Sequence, residues 1–228
     1  MFKSPFELLV NAVTVEPCVI CNYKGLALCH ACYENAFSEP DYRCYICNKL
    51  TRQGSVCKSC KPRSRLRHVW WLGDYKTELK ELVLQMKYQR KRETARLLGA
   101  YLAQKIPYLP EDTLVVHLPT ASSRVRRRGF DQAQLIAQSF AEARHLTYRN
   151  ALQRTGQKEL IGKRRIDRMK AMQGVFKLQA NTTLSGKSIL LVDDVLTTGA
   201  SLESAATTLR EAGAQHVAAV VVARRLLN

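Results

Sequence analysis

Apolar residues recur along the middle of the chain with the spacing of amphipathic helices. The first helix is predicted over 79–86, where apolar residues stand at i, i+3, i+4 and i+7. The spacing breaks at 88–92, resumes over 95–102 and stops before Pro107. The same periodicity predicts two further helices, 130–143 and 202–212.

Short uninterrupted apolar runs between these helices are typical of buried strands in a parallel sheet. The clearest runs are Leu-Val-Val-His-Leu at 114–118, closed by Pro119, and Ile-Leu-Leu-Val at 189–192. Two more strands are predicted at 69–75 and 216–223. Strands that alternate with helices in this way indicate an α/β fold built on a parallel sheet.

All eight cysteines lie in the first sixty residues, where they form four Cys-x-x-Cys pairs. The pairs are Cys18/Cys21, Cys29/Cys32, Cys44/Cys47 and Cys57/Cys60. Two residues between ligands let both sulfurs of a tight turn face one ion, and four thiolates complete the tetrahedral shell of zinc. We therefore predict two structural zinc ions, because a closed shell leaves no position for a substrate. A disulfide framework is the competing interpretation, but no secretory signal is recognised to support it.

The cysteine spacing leaves two pairings open. A sequential pairing places the first four cysteines on one ion and the last four on the other, whereas an interleaved cross-brace mixes the two halves. The short gaps within each half favour the sequential pairing. We predict a double zinc ribbon with a short N-terminal helix over 1–62, and a second domain over 69–228 after a basic link.

Composition adds a strong positive charge to this picture. The formal net charge is +17, from 36 lysines and arginines against 19 aspartates and glutamates. Such a charge favours polyanionic partners, with nucleic acid first and an anionic membrane surface second. No apolar run approaches the ~20 residues that span a bilayer. Since no signal peptide is recognised either, we expect a cytoplasmic protein.

The most specific motif is Ile-Leu-Leu-Val-Asp-Asp-Val-Leu-Thr-Thr-Gly-Ala-Ser at 189–201. Its apolar strand delivers Asp193 and Asp194 to the carboxyl end, where open α/β sheets bind ligands. The following turn is rich in hydroxyl and small residues and leads into a helix, so its amides can form a phosphate site. The paired carboxylates suit the 2′ and 3′ hydroxyls of a ribose. A plain strand-turn-helix, capped by Asp194 or Thr198, is the alternative without a ligand.

This segment resembles the phosphoribosyl pyrophosphate motif of type I phosphoribosyltransferases. The resemblance implies that Asp193 and Asp194, the candidate catalytic pair, hold the ribose hydroxyls. It assigns the 5′-phosphate to the turn: Thr197, Thr198, Gly199, Ala200 and Ser201. The pyrophosphate would be carried with Mg²⁺. The run 116–120, which includes Pro119 and Thr120, resembles the pyrophosphate loop of these enzymes.

The order of motifs along nearly the whole chain resembles the ComF/GntX family, which is linked to DNA uptake in natural transformation and to DNA utilisation. A telling element is Arg-Arg-Arg-Gly-Phe-Asp-Gln at 126–132, where Asp131 stands in place of the usual Asn of that family. The segment 157–176 resembles the mobile loop of that family, but it does not contain the Arg-x-x-Asn pattern that is usual there. The resemblance implies a type I phosphoribosyltransferase-like parallel sheet flanked by helices, preceded by a small double zinc ribbon. It also implies a DNA-uptake helicase or other competence proteins as partners.

Basic residues cluster on predicted loops around the phosphate motif, and we predict a single-stranded DNA track through them. The candidate nucleic-acid-binding residues are Lys87, Arg90, Arg124, Arg126, Arg127, Arg128, Phe130, Lys163, Arg164, Arg165 and Arg168. Tyr88, Phe130, Trp70 and Trp71 offer faces on which bases can stack. Solvated surface charge is the alternative for any one cluster, and a place in the core is the alternative for the tryptophans.

These features favour a competence or DNA-utilisation protein that binds single-stranded DNA and a phosphoribosyl pyrophosphate-like ligand. Two alternatives stay open. One is a phosphoribosyltransferase of nucleobase salvage, which needs a hood over the base. The other is a regulator that senses a phosphoribosyl ligand and binds nucleic acid through its ribbons.

Overall fold

The computed structural model describes residues 17–24, 28–37, 42–155 and 174–226. The strands are β1 (Val69–Asp74), β2 (Leu114–His117), β3 (Thr147–Tyr148), β4 (Leu152–Arg154), β5 (Phe176–Leu178), β6 (Ser188–Leu196) and β7 (His216–Arg224). Five of them form one parallel sheet in the order β1–β7–β6–β2–β3, and β4 pairs with β5 in a separate antiparallel ladder. The predicted α/β fold with a parallel sheet is confirmed.

Helices cover both faces of this sheet. They are α1 (His30–Ala36), α2 (Thr77–Tyr88), α3 (Arg92–Lys105), α4 (Ser122–Arg128), α5 (Gln132–Ala143) and α6 (Ala200–Glu211). Side chains alternate along β6, so Leu190 and Val192 join one apolar core while Ile189 and Leu191 join the other. The first core also contains α2, α3 and α5, and the second contains α6 with β4 and β5. The result is a three-layer arrangement in which every central strand is buried on both faces.

The two groups of cysteines lie on opposite faces of the sheet. We call residues 17–24 and 28–37 the first module and residues 42–60 the second module. The first module shares the core of α2 and α3, where the rings of Tyr33 and Phe37 lie 5.0 and 5.2 Å from that of Tyr101. The second module shares the core of α6. Both modules are therefore packed against the sheet domain.

Two local predictions differ from the structure. Arg124 to Arg128 were expected on a loop, but they form most of α4, a short helix that ends at Gly129 in the left-handed region (φ 81°). A seven-residue, arginine-rich segment has no apolar periodicity long enough to signal a helix. Strand β6 was expected to end at Val192, yet it continues through both aspartates to Leu196 because β7 pairs with it along that length.

Other predictions fall outside the described residues. The short N-terminal helix and the basic residues Lys163, Arg164, Arg165 and Arg168 belong to this group. Among the helices of the described part, none is long and apolar enough to cross a membrane.

Candidate phosphoribosyl site

A topological switch point lies between β2 and β6 at the carboxyl edge of the sheet. The chain leaves β2 through α5 towards β3 on one side, whereas it leaves β6 through α6 towards β7 on the other. Pairing between β2 and β6 stops at His117 and Val192, although β6 runs on. Open α/β sheets bind ligands in the crevice that such a divergence creates.

A cavity of about 290 Å³ occupies this crevice. It brings together six of the residues that the sequence assigned to the phosphoribosyl site: Pro119, Thr120, Asp193, Asp194, Thr197 and Ser201. Of the remaining three, Thr198 and Gly199 are buried in the turn between β6 and α6, and Ala200 is buried at the first position of α6. Gly199 caps α6 with a φ of 79°, a left-handed conformation that favours glycine.

Asp194 is held by two polar side chains from other elements. The Lys87 ammonium, at the end of α2, lies 2.9 Å from Oδ2 of Asp194, and the Gln132 amide donates a 2.8 Å hydrogen bond to the same oxygen. Burial by itself would raise the pKa of Asp194, but these two partners hold it below its ordinary value. Lys87 was predicted to lie on a nucleic-acid track, whereas its ammonium lies inside the cavity.

Asp193 has the opposite electrostatic setting. Burial, together with the negative charge of Asp194, raises the pKa of Asp193 to about 8. The backbone amide of Asp194 donates a 2.8 Å hydrogen bond to Asp193 Oδ1. Near neutral pH the pair of carboxyl groups therefore carries about one proton, because the ionised Asp194 disfavours a second negative charge on the adjacent, partly buried Asp193.

Cations surround the two aspartates. The cavity is lined by Lys87, Arg124, Arg128, Arg154 and Arg225. Arg128 is 6% exposed, and its Nε has no hydrogen-bond partner among the described residues. Burial lowers the pKa of Arg128, while the Asp194 carboxylate acts in the opposite direction. A buried guanidinium with an unused donor beside a cavity is suited to an anionic ligand.

Two of these cations were missed in the sequence. Arg154 lies in β4, a three-residue strand that carries no periodic signal. Arg225 follows β7 directly, so its place at the carboxyl end of a predicted strand was a usable sign.

Asp131 fixes the loop that follows β2. Its carboxylate accepts hydrogen bonds from the Thr120 amide (2.8 Å), the Thr120 hydroxyl (2.9 Å) and the Ala133 amide (3.0 Å), and it caps α5. An asparagine has one acceptor oxygen and would not accept all three donors. The unusual aspartate thus faces this loop and the start of α5, where it satisfies three donors.

A basic surface adjoins the cavity. We define it by the exposed residues Arg90, Lys91, Arg92, Arg124, Arg126 and Arg127. Its two segments are joined by hydrogen bonds, because Arg90 donates to the Arg127 carbonyl (3.4 Å) and Arg92 donates to the Gly129 carbonyl (2.9 Å).

The aromatic candidates differ in their exposure. Tyr88 is 64% exposed, with the Arg128 guanidinium 5.9 Å from its ring centre. Phe130 is buried, with Arg92 over its ring. Trp70 is also buried and donates its indole N–H to the Gln53 carbonyl, while Arg224 covers the ring of Trp71. Tyr88 is therefore the candidate whose ring is most open to solvent.

The cysteines form two sequential groups of four. Within each group all four sulfurs lie within 4.8 Å of one another: Cys18, Cys21, Cys29 and Cys32, then Cys44, Cys47, Cys57 and Cys60. The Sγ distances are 3.6 Å between Cys21 and Cys29 and 3.5 Å between Cys47 and Cys57. A tetrahedral zinc site with Zn–S bonds of about 2.3 Å places its sulfurs about 3.8 Å apart. The geometry fits two structural zinc sites.

Comparisons with known proteins identify a domain family and several relatives that are similar to this chain. The phosphoribosyl transferase domain family matches residues 115–226. The competence protein ComFC of Bacillus subtilis is 26% identical over 199 residues, which cover 82% of this chain and 79% of that protein. The DNA utilization protein YhgH of Escherichia coli K12 is 25% identical over 209 residues, which cover 80% and 90% respectively. The glutamine phosphoribosylpyrophosphate amidotransferase of B. subtilis, solved with ADP and GMP, aligns with a TM-score of 0.43 at 20% identity, over 61% of this chain and 30% of that one.

Proposed function

We propose that this chain, which is similar to the competence protein ComFC and the DNA utilization protein YhgH and carries a phosphoribosyl transferase domain, is a DNA-uptake or DNA-utilisation protein of the ComF family. In this proposal it binds a phosphoribosyl pyrophosphate-like ligand, with Mg²⁺, and single-stranded DNA at adjoining sites. A cytoplasmic location belongs to the same proposal, since reduced cysteines are needed to hold zinc.

The phosphoribosyl part is supported by the chemistry of the cavity. Asp193 and Asp194 offer carboxylate oxygens to ribose hydroxyls or to Mg²⁺, which prefers oxygen ligands. The turn that leads into α6 offers backbone amides and the hydroxyls of Thr197 and Ser201 to a 5′-phosphate. Arg128 and the loop around Thr120 would face the pyrophosphate. Five cations match the several negative charges of such a ligand.

The DNA part rests on one observation, the placement of α4. Arg124 and Arg128 on this helix line the cavity, whereas Arg126 and Arg127 on the same helix are exposed in the basic surface. The ligand cavity and the basic surface are therefore continuous. An exposed aromatic ring at Tyr88 beside several arginines is the combination that single-strand-binding proteins use for bases and phosphates.

Titration of a fluorescent single-stranded oligonucleotide at several salt concentrations tests the DNA part. We expect binding that prefers single strands over duplex, because bases must reach Tyr88. Arg126→Ala and Arg127→Ala should each reduce the slope of log K against log salt by about one, as expected for the loss of one phosphate contact.

The matched control for these variants is Lys187→Ala. It also removes one exposed positive charge, but Lys187 directly precedes β6 and so lies at the opposite edge of the sheet from the cavity. Equal salt slopes in all three variants and the wild type would contradict the assignment of the basic surface.

The raised pKa of Asp193 predicts how ligand binding depends on pH. If the bound ligand requires ionised Asp193, the free protein must release that proton, so affinity for phosphoribosyl pyrophosphate with Mg²⁺ should rise from pH 7 and level off above about 8. The rise is at most about tenfold per pH unit. Isothermal titration calorimetry across this range measures it, and Asp193→Asn should remove the dependence. Asp112→Asn, which replaces an exposed carboxyl, should keep the wild-type profile.

A further inference from the structure

The second module touches the turn that leads into α6. Tyr45 follows Cys44 directly, and its ring is buried against the backbone of Gly199. A Cβ atom built on Gly199 would lie 2.7 Å from Cε2 of Tyr45, which is closer than real Cβ contacts. The ring and the turn are thus in contact without space between them, so the position of Tyr45 limits the conformations of this turn.

A second contact ties the same tyrosine to the first turn of α6. The Glu203 carboxylate accepts hydrogen bonds from the Tyr45 hydroxyl, the Ser64 hydroxyl and the Arg65 amide, the last at 2.9 Å. The Glu203 amide in turn donates to the Gly199 carbonyl at 2.9 Å. Glu203 therefore connects the helix start to the second module and to the segment that follows it.

A third contact joins the second module to the end of β7. The Arg224 guanidinium donates to Asn48 Oδ1 at 2.6 Å and lies 4.7 Å from the ring centre of Trp71. Arg225, the next residue, lines the cavity, and its amide donates to the Leu196 carbonyl at 2.8 Å. The second module thus contacts β7, which pairs with the end of β6 at Leu196, as well as the start of α6.

The contacts of the first module differ. Its residues pack on α2 and α3, where the Gln85 side chain donates to the Val19 carbonyl and the ring of Tyr33 meets that of Tyr101. It belongs to the apolar core on the other face of the sheet from α6. The two modules share the same four-cysteine chemistry, but they support different elements.

From these contacts we propose that Tyr45 and Glu203 are positioning residues through which the second module fixes the turn at 197–201 for phosphate binding. The inference rests on the proposed function in one respect, that the 5′-phosphate of the ligand lies in this turn. Backbone amides bind an anion well only when they are held pointing at one place. A metal at Cys44, Cys47, Cys57 and Cys60 would hold Tyr45 in place, so loss of that metal should release the turn.

Two pairs of variants test the proposal. Tyr45→Phe removes only the hydroxyl that donates a hydrogen bond to Glu203, and Tyr45→Ala removes the ring as well. All eight cysteines stay in both variants. Cys47→Ser and Cys21→Ser each replace one exposed ligand, in the second and first module respectively. Hydrogen–deuterium exchange of the segment 197–201 is measured without ligand. Affinity for phosphoribosyl pyrophosphate with Mg²⁺ and zinc content are measured in parallel.

We expect faster exchange over 197–201 in Tyr45→Ala and Cys47→Ser, and exchange as in the wild type in Cys21→Ser. Tyr45→Phe should weaken phosphoribosyl pyrophosphate binding by up to about tenfold, because a turn that is held less firmly must be ordered when the phosphate binds, with zinc content unchanged. Exchange as in the wild type for Tyr45→Ala and Cys47→Ser would overturn the proposal, as would equal acceleration in Cys21→Ser. Failure of the wild type to bind phosphoribosyl pyrophosphate would refute the proposed function instead, while the exchange comparison still reports on the contact.

Discussion

Replacing Asp193 and Asp194 together with asparagine should abolish binding of phosphoribosyl pyrophosphate while leaving the zinc content unchanged. The double variant removes the negative charge that attracts Mg²⁺ and the acceptors that suit ribose hydroxyls. It also leaves the partly buried ammonium of Lys87 without its carboxylate partner at 2.9 Å, so an ion pair inside the cavity is lost. Two lost hydrogen bonds to charged groups correspond to at least about a hundredfold loss of affinity.

Calorimetry with Mg²⁺ and phosphoribosyl pyrophosphate, combined with metal analysis, measures both parts of this prediction. Asp112→Asn is the control, because it removes an exposed carboxyl that does not line the cavity. Retained binding in the double variant would show that the ligand does not use these carboxylates. Measurement of Asp194→Asn alone then separates the two roles, since Asp194 pairs with Lys87 and Gln132 whereas Asp193 carries the raised pKa.

Removal of zinc from the second module is expected to have the largest effect on stability. Cys44→Ser replaces a fully buried ligand and should lower the metal content by one ion per chain. Structural zinc supplies about 10–16 kcal/mol of apparent binding free energy in small zinc domains, so the loss should exceed the stability of the module itself. Because this module belongs to the core of α6, thermal unfolding of the sheet domain should also begin at lower temperature.

Metal analysis and thermal denaturation, with and without a chelator, measure this effect. Lys49→Ala is the control, since it changes an exposed residue next to the metal-binding turn without removing a ligand. Native protein that contains no zinc would dispose of the metal assignment. A chelator that leaves the unfolding temperature unchanged would show that the modules fold without their ions.

The two modules also differ in what they contact, which connects stability to the site. The second module meets the turn at 197–201 through Tyr45, whereas the first meets α2, the helix that carries Lys87 into the cavity. Each module therefore contacts a segment that carries candidate ligand residues.

The sequence by itself determined the features that depend only on residues close together in the chain. Four Cys-x-x-Cys pairs indicate two zinc sites because ligand spacing depends on a few neighbouring residues. The strand and turn at 189–201 placed two carboxylates and a phosphate turn together for the same reason. Apolar periodicity also indicated the principal helices and strands of the sheet domain, since burial on a sheet face imposes it.

Tertiary structure alone decided how these pieces meet. The pair of Lys87 and Asp194 and the contact of Tyr45 with Glu203 join residues from distant parts of the chain, 158 positions apart in the second case. No local pattern encodes such pairs, because they depend on which helix crosses which strand end. Because α4 has no apolar repeat, the sequence predicted neither this helix nor the direction in which each of its arginines points. In the structure, arginines of one basic cluster therefore divide between the lining of the cavity and the solvent-exposed basic surface.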